Sequence, residues 1–285
     1  MSAAPPLLPQ QIAPDTAAQA ALTAQWLTPL GEALAAYFRR LRAEADTVLV
    51  PRLPSAAGKP YPYGRCEEIT QHVHALLQPR LQRPSHDAVE QALQRFVATG
   101  GLLQSVWGVL REQYFQNALQ IGTLYVDVSN DTVVVTKPPV EILPMAASGL
   151  VPVRDLAHFR HTAERYWQAT LYANHWVPSL APVLPIVSVS PGRLAPGLQS
   201  ACDYMIELMR RDDFRQAEAW LRDGPAPPPD LQPAWLPADL QPWTGDPRAE
   251  AVRACQRARD AGAARDTHWR HARVADYLRL ARGPV

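Results

Sequence analysis

The segment Tyr61-Pro62-Tyr63-Gly64-Arg65-Cys66-Glu67-Glu68 sets a cysteine behind a glycine-containing loop, where a helical pattern begins. A thiolate at a helix start gains from the helix dipole and from the unpaired N–H groups of the first turn. Arg65 adds positive charge, while Glu67 and Glu68 oppose it. These are the terms that set whether a thiol becomes a nucleophile or stays an inert buried sulfur. Sixty residues on, Asp127 interrupts a strongly β run, Leu124-Tyr125-Val126-Asp127-Val128. Alternation turns Leu124, Val126 and Val128 one way and Tyr125 and Asp127 the other. Asn130 and Asp131 behind it are turn residues.

The histidines are less informative. His72 and His74 stand two apart on a helix and do not share a face. His158 and His161 share one, but a metal would need a further ligand from another element, with Asp127 as a weak third option.

A helix-borne cysteine, then an antiparallel sheet, then an acid on a strand resembles the transglutaminase-like and papain-like thiol fold. The resemblance covers about residues 60–136 and rests on the Cys66 loop, on Tyr114-Phe115-Gln116-Asn117, on Gly122 and on Leu124-Tyr125-Val126-Asp127. It implies Cys66 as a nucleophile attacking an amide or thioester to give an acyl-enzyme. Asp127 would orient a base or hold substrate. Asn117 and Gln116 would donate hydrogen bonds to a developing oxyanion. The position expected to carry the catalytic histidine holds Tyr114, and no histidine lies between His86 and His158. Three arrangements stay open: a catalytically dead scaffold, a remote histidine (His86 or His175) completing the site, or an accidental likeness. The expected function is therefore a thiol-dependent acyl-transfer or amide-bond enzyme, with a non-catalytic interaction protein on the same fold as the alternative.

The elements that must position these residues read as α+β, a small antiparallel sheet with helices before and after. Residues 1–16 read as a flexible Pro/Ala/Gln tail. Residues 17–222 read as one main domain, 223–247 as a proline-rich linker and 248–285 as a basic C-terminal helix. Trp26, Leu30, Leu34, Phe38 and Leu41 form a helical apolar stripe, and Arg39, Arg40, Arg42 and Glu44 its solvated end. The next helix starts near Cys66 and stops at Pro79; the one after it has Ser85 as N-cap and ends at Gly100-Gly101. Residues 102–110 and 117–128 and the run Thr132-Val133-Val134-Val135-Thr136 predict strands, with a short edge strand in 140–144. A helix spans 155–172, a short strand falls near Pro185–Ser190, and Gln199–Leu221 predicts one amphipathic helix.

With 285 residues, 47% hydrophobic, the chain can bury a core, and a wholly disordered protein is excluded. Its 29 prolines predict long irregular connections. A formal net charge of +1 makes nucleic acid an improbable partner. The nine arginines against four acids in 248–285 suggest a protein partner there. Three widely spaced cysteines, Cys66, Cys202 and Cys255, and no CxxC point to reduced thiols in a cytoplasmic setting. Neither a secretory leader nor a membrane span is expected, because proline interrupts the uncharged run from Leu171 to Gly192. No P-loop, GxGxxG, GxSxG or HExxH occurs, so no cofactor and no resident metal are expected.

Overall fold

The computed structural model describes residues 11–53, 55, 58–190, 197–198, 203–231, 236–240 and 245–282. The protein is α+β, with an antiparallel sheet flanked by helices. It forms two compact units, Met1–Pro152 and Val153–Val285. The boundary falls inside the 17–222 stretch expected as one domain, because each unit has its own sheet and its own helices.

The first unit runs α1 (Ala17–Trp26), α2 (Glu32–Leu49), α3 (Cys66–Gln82), α4 (Ala88–Ala98), β1 (Leu103–Leu110), β2 (Tyr114–Ile121), β3 (Leu124–Asp127), β4 (Glu141–Pro144), α5 (Met145–Ser148) and β5 (Leu150–Val151). Its sheet has the order β4-β3-β2-β1-β5 and is antiparallel throughout. The α2 stripe arises as expected: Leu34, Phe38, Leu41, Ala45 and Leu49 lie on one buried face. They pack with Ile69, Val73, Leu93 and Phe96 of α3 and α4 against Leu119, Ile121, Val126 and Val128 of the sheet. Each large side chain buried there contributes about 1.5–3 kcal/mol. Gly122 makes the β2–β3 turn at φ +59°, and a Cβ there would stand 2.2 Å from Thr23 Oγ1.

Several local expectations are corrected. Residues 132–136 are a turn, not a strand, because β4 already occupies the open edge of β3; Val134 and Val135 stay exposed. Helix α3 passes through Pro79 to Gln82, and Gln94 Nε2 of α4 takes up the carbonyls of Arg80 (2.7 Å) and Arg83 (2.6 Å) at its end. The N-cap of α4 is Asp87, not Ser85. The expected N-terminal tail is fastened to the sheet from Gln11 onward.

The second unit comprises α6 (Leu156–Tyr166), β6 (Thr170–Ala173), β7 (Ile186–Val189), β8 (Gly197–Leu198), α7 (Asp203–Arg211), α8 (Arg215–Asp223), α9 (Pro247–Asp260) and α10 (Thr267–Arg282). The helix expected at 199–221 is broken in two, and its residues 199–202 lie outside the described residues. The chain turns at Asp213 (φ +54°) and Phe214 (φ +62°), which buries the Phe214 ring against Trp269. The expected single C-terminal helix is likewise two, divided at Gly262 (φ +67°). Its basic character is largely spent within the unit. Arg259 pairs with Glu218, Arg253 with Glu250, Arg270 with Glu207, and Arg279 with Asp239 and Asp276. Part of the expected linker is bound too: Ala173 N–H of β6 donates to Pro225 O at 2.8 Å.

Candidate functional site

Cys66 opens α3, where the sequence places it. Gly64 delivers it: at φ +69° its N–H donates to Thr132 O at 2.8 Å, which ties the cysteine loop to the turn after β3. Asn117 Nδ2 then donates to Cys66 Sγ at 3.6 Å. Among the described residues Asn117 is the one hydrogen-bond partner of that sulfur. The residue keeps some exposure, but the sulfur itself is desolvated, and that decides its titration. Burial pushes the thiol up to about 11; the contacts with Asn117 pull it down, and the charges of Asp127 and Glu67 push it further up. At pH 7 this leaves about one thiolate in ten thousand. The helix N-terminus is outweighed by desolvation and by the two nearby acids.

Asp127 is fully buried at the end of β3. Gln116 Nε2 donates to its Oδ1 (3.0 Å) and Oδ2 (2.9 Å), and the Tyr125 hydroxyl donates to Oδ2 (2.8 Å). Ser129 supplies its N–H (2.8 Å) and its hydroxyl (3.0 Å) to Oδ1. The backbone bond is a side-chain turn two residues on, the local chemistry aspartate favours. Burial nonetheless raises the carboxyl to about 6, with Tyr125, Ser129 and Gln116 pulling against that rise. Burial and the neighbouring Asp127 together hold the Tyr125 phenol far above its ordinary value.

The structure brings Cys66, Asn117, Gln116 and Asp127 into one neighbourhood, but on two faces of the sheet. Leu119 pairs with Val126 and Gln120 with Tyr125, and the alternation of a strand does the rest. Asn117 shares a face with Leu119 and Ile121, toward the helices and Cys66. Gln116 and Asp127 share the opposite face with Gln120 and Tyr125. Ser129, beyond the end of β3, is where the two sides touch. Its hydroxyl lies 3.3 Å from Asn117 O and 3.3 Å from Thr70 Oγ1 of α3. Asp127 therefore orients Gln116, Tyr125 and Ser129; Asn117, not Asp127, meets the thiol.

The two remote histidines stand elsewhere. His86 is exposed in the turn before α4. His175 belongs to the second unit, where its Nε2 is 2.9 Å from Leu221 O and burial lowers its pKa. Of the pair on α6, the Asp155 carboxylate caps the helix at His158 N–H. No group of three or more His, Cys, Asp or Glu side chains suited to a metal occurs among the described residues.

Arg42 escaped the sequence reading, which put it on a solvated helix end. It is 3% exposed and reaches across to the turn after β3, donating to Val128 O (2.9 Å), Asp131 Oδ1 (2.8 Å) and Asp46 Oδ1 (2.7 Å). A signal was present. Arg42 follows Phe38 by four residues and precedes Ala45 by three, so it falls in phase with the apolar stripe. Tyr125, Ser129 and Thr70 were missed because nothing in their types separates a network hydroxyl from an ordinary strand or helix residue.

Comparison with protein-family models, curated proteins and solved structures finds no match. No helix among the described residues is long and apolar enough to cross a membrane.

Proposed function

We propose that this chain is a non-catalytic binding protein whose first unit resembles the transglutaminase-like and papain-like thiol fold. The observation that carries the reading is the state of the thiol: Cys66 is desolvated, pushed up to about 11, and meets an amide rather than an imidazole. Without a base the thiol does not ionise at neutral pH. The acid that would orient such a base is committed to Gln116, Tyr125 and Ser129 on the other face. One observation favours the acyl-transfer reading instead: Asn117 Nδ2 lies close enough to Sγ to meet a carbonyl oxygen attacked by that sulfur. A reducing, cytoplasm-like compartment suits either reading, since Cys66 and Cys255 are both free.

Iodoacetamide alkylation of the native chain between pH 6 and 11, followed by mass spectrometry, separates them. The expected result is slow modification of Cys66 that accelerates only above about pH 9, the behaviour of an unactivated thiol. Cys255, buried and pushed up to about 12 with desolvation as the first cause, is the internal control. Fast modification of Cys66 with an apparent pKa below about 8 overturns the binding reading and restores the nucleophile.

A further inference from the structure

The face of the first sheet turned away from the helices is unusually polar for a buried surface. Gln104, Gln116, Gln120, Tyr125 and Asp127 all stand on it, at register positions fixed by the β1–β2 and β2–β3 pairings. Two of these side chains hold a piece of main chain. Gln120 grips Ala13 at both ends: Ala13 N–H donates to Gln120 Oε1 (2.9 Å), and Gln120 Nε2 donates to Ala13 O (2.8 Å). Gln104 Nε2 donates to Gln11 O (2.8 Å) and to Gln120 Oε1 (3.1 Å). Between them, Ile12 lies beside Gly108, where a built Cβ would meet the Val151 carbonyl oxygen at 2.4 Å and the Ile12 Cδ1 atom at 3.2 Å.

The pattern is that of peptide recognition. A carboxamide that meets both the N–H and the C=O of one residue reads backbone, as a neighbouring strand would, and is indifferent to side chain. At Gly108, where the Val151 carbonyl already stands closest, the tip of one aliphatic residue packs alongside. Under the strap Gln120 is 1% exposed, and Ala13 matches both ends of its amide. Among the described residues the Gln116 amide oxygen in the neighbouring row is buried without a partner, so the face holds acceptor capacity that residues 11–13 leave unused.

The geometry points to a groove for an extended peptide with an aliphatic residue at the Ile12 position, occupied in cis by the chain's own Gln11-Ile12-Ala13. A partner peptide binds by displacing this strap, so the strap sets the threshold for binding. A peptide groove of this kind presupposes the binding reading above, yet it fails on its own test: alkylation reports on the thiol, and peptide affinity reports on the opposite face of the sheet.

The test uses the full chain and a fluorescein-labelled peptide of residues 9–16, followed by fluorescence anisotropy. In the double variant Ile12→Asp/Ala13→Pro the strap loses its aliphatic anchor and the N–H that Gln120 accepts. This variant is expected to bind the peptide at least tenfold more tightly than the wild-type chain. Adding Gln104→Ala, at a half-buried position, is expected to weaken that binding by roughly threefold to tenfold, the value of one main-chain hydrogen bond. In the wild-type chain, excess peptide is expected to speed hydrogen exchange at the Ala13 amide, and this readout stands even if the double variant folds poorly. Equal affinity for wild type and double variant, or unchanged exchange at Ala13 under saturating peptide, overturns the proposal. So does a double variant that self-associates in sedimentation without taking up peptide, because the occupant is then a second copy of the chain.

Discussion

Replacing Arg42 with methionine is expected to cost about 3–5 kcal/mol of stability, the price of removing one partner from a buried ion pair. The guanidinium is 3% exposed and serves three acceptors at once, on its own helix and on the turn after β3. Nε holds Asp46 on its own helix, and Nη1 and Nη2 hold the Asp131 carboxylate at 2.8 and 3.2 Å. Nη1 also takes the Val128 carbonyl at the end of the β3 region. Burial works against its charge, and the hydrogen bonds to Asp131 and Asp46 outweigh it, so its pKa is raised. Methionine fills much of the same space but leaves a buried carbonyl and a 14%-exposed carboxylate without their donor. Lysine keeps the charge but cannot bridge three acceptors with a planar fork, so it should recover only part of the loss. Urea unfolding at pH 7.5, followed by tryptophan fluorescence, reads the effect as a lower midpoint. A loss below about 1 kcal/mol, the range of an exposed pair, would mean that the turn is held by other contacts. Because Thr132 of the same turn accepts from Gly64, loosening it should also quicken alkylation of Cys66 two residues on.

Arg42 also shows where sequence reading stops. The apolar stripe of α2 and the alternation of β3 were legible because burial imposes a period on residue types. The same stripe carried Arg42 inward, and charge alone made that position look solvated. The run Thr132–Thr136 has the composition of a strand, but strand formation needs an unpaired edge, and β4 had taken it. The break at Asp213 and Phe214 is set by the burial of one ring, and no local residue preference announces it. For the site, residue types and spacing gathered Cys66, Gln116, Asn117 and Asp127, and the fold sets them in one neighbourhood. They could not make a common site of all four. Gln116 and Asn117 are consecutive in a strand and must face opposite ways, and the parity that joins Gln116 to Asp127 sends Asn117 to the thiol.

The acid on the far face makes the sharper prediction. Asp127 is fully buried, and its carboxyl is raised to about 6, first by desolvation, with Tyr125, Ser129 and Gln116 pulling it down. In the unfolded chain the same group titrates near 3.8. Between those values the folded form binds a proton that the unfolded form does not. The resulting stability is full below the unfolded value and is lost as pH rises through 6. The chain should therefore be roughly 1 to 1.5 kcal/mol more stable at pH 5 than at pH 8 on account of this residue. Asp127→Asn should flatten that dependence at modest cost, because Gln116 Oε1, which has no partner among the described residues, can turn to accept from the new amide. Asp127→Ala should cost about 3 kcal/mol or more, since it strands the Gln116 amide, the Tyr125 hydroxyl and the Ser129 N–H in the core. Urea midpoints at pH 5, 6.5 and 8 for the three chains measure all of this. A flat profile from pH 5 to 8 that Asp127→Asn leaves unchanged, with stability lost instead as pH falls below about 4, would make Asp127 a carboxylate that the fold stabilises as an anion. An anion held that way is what orienting a base requires, and the case for a silent thiol would then have to rest on Cys66 alone.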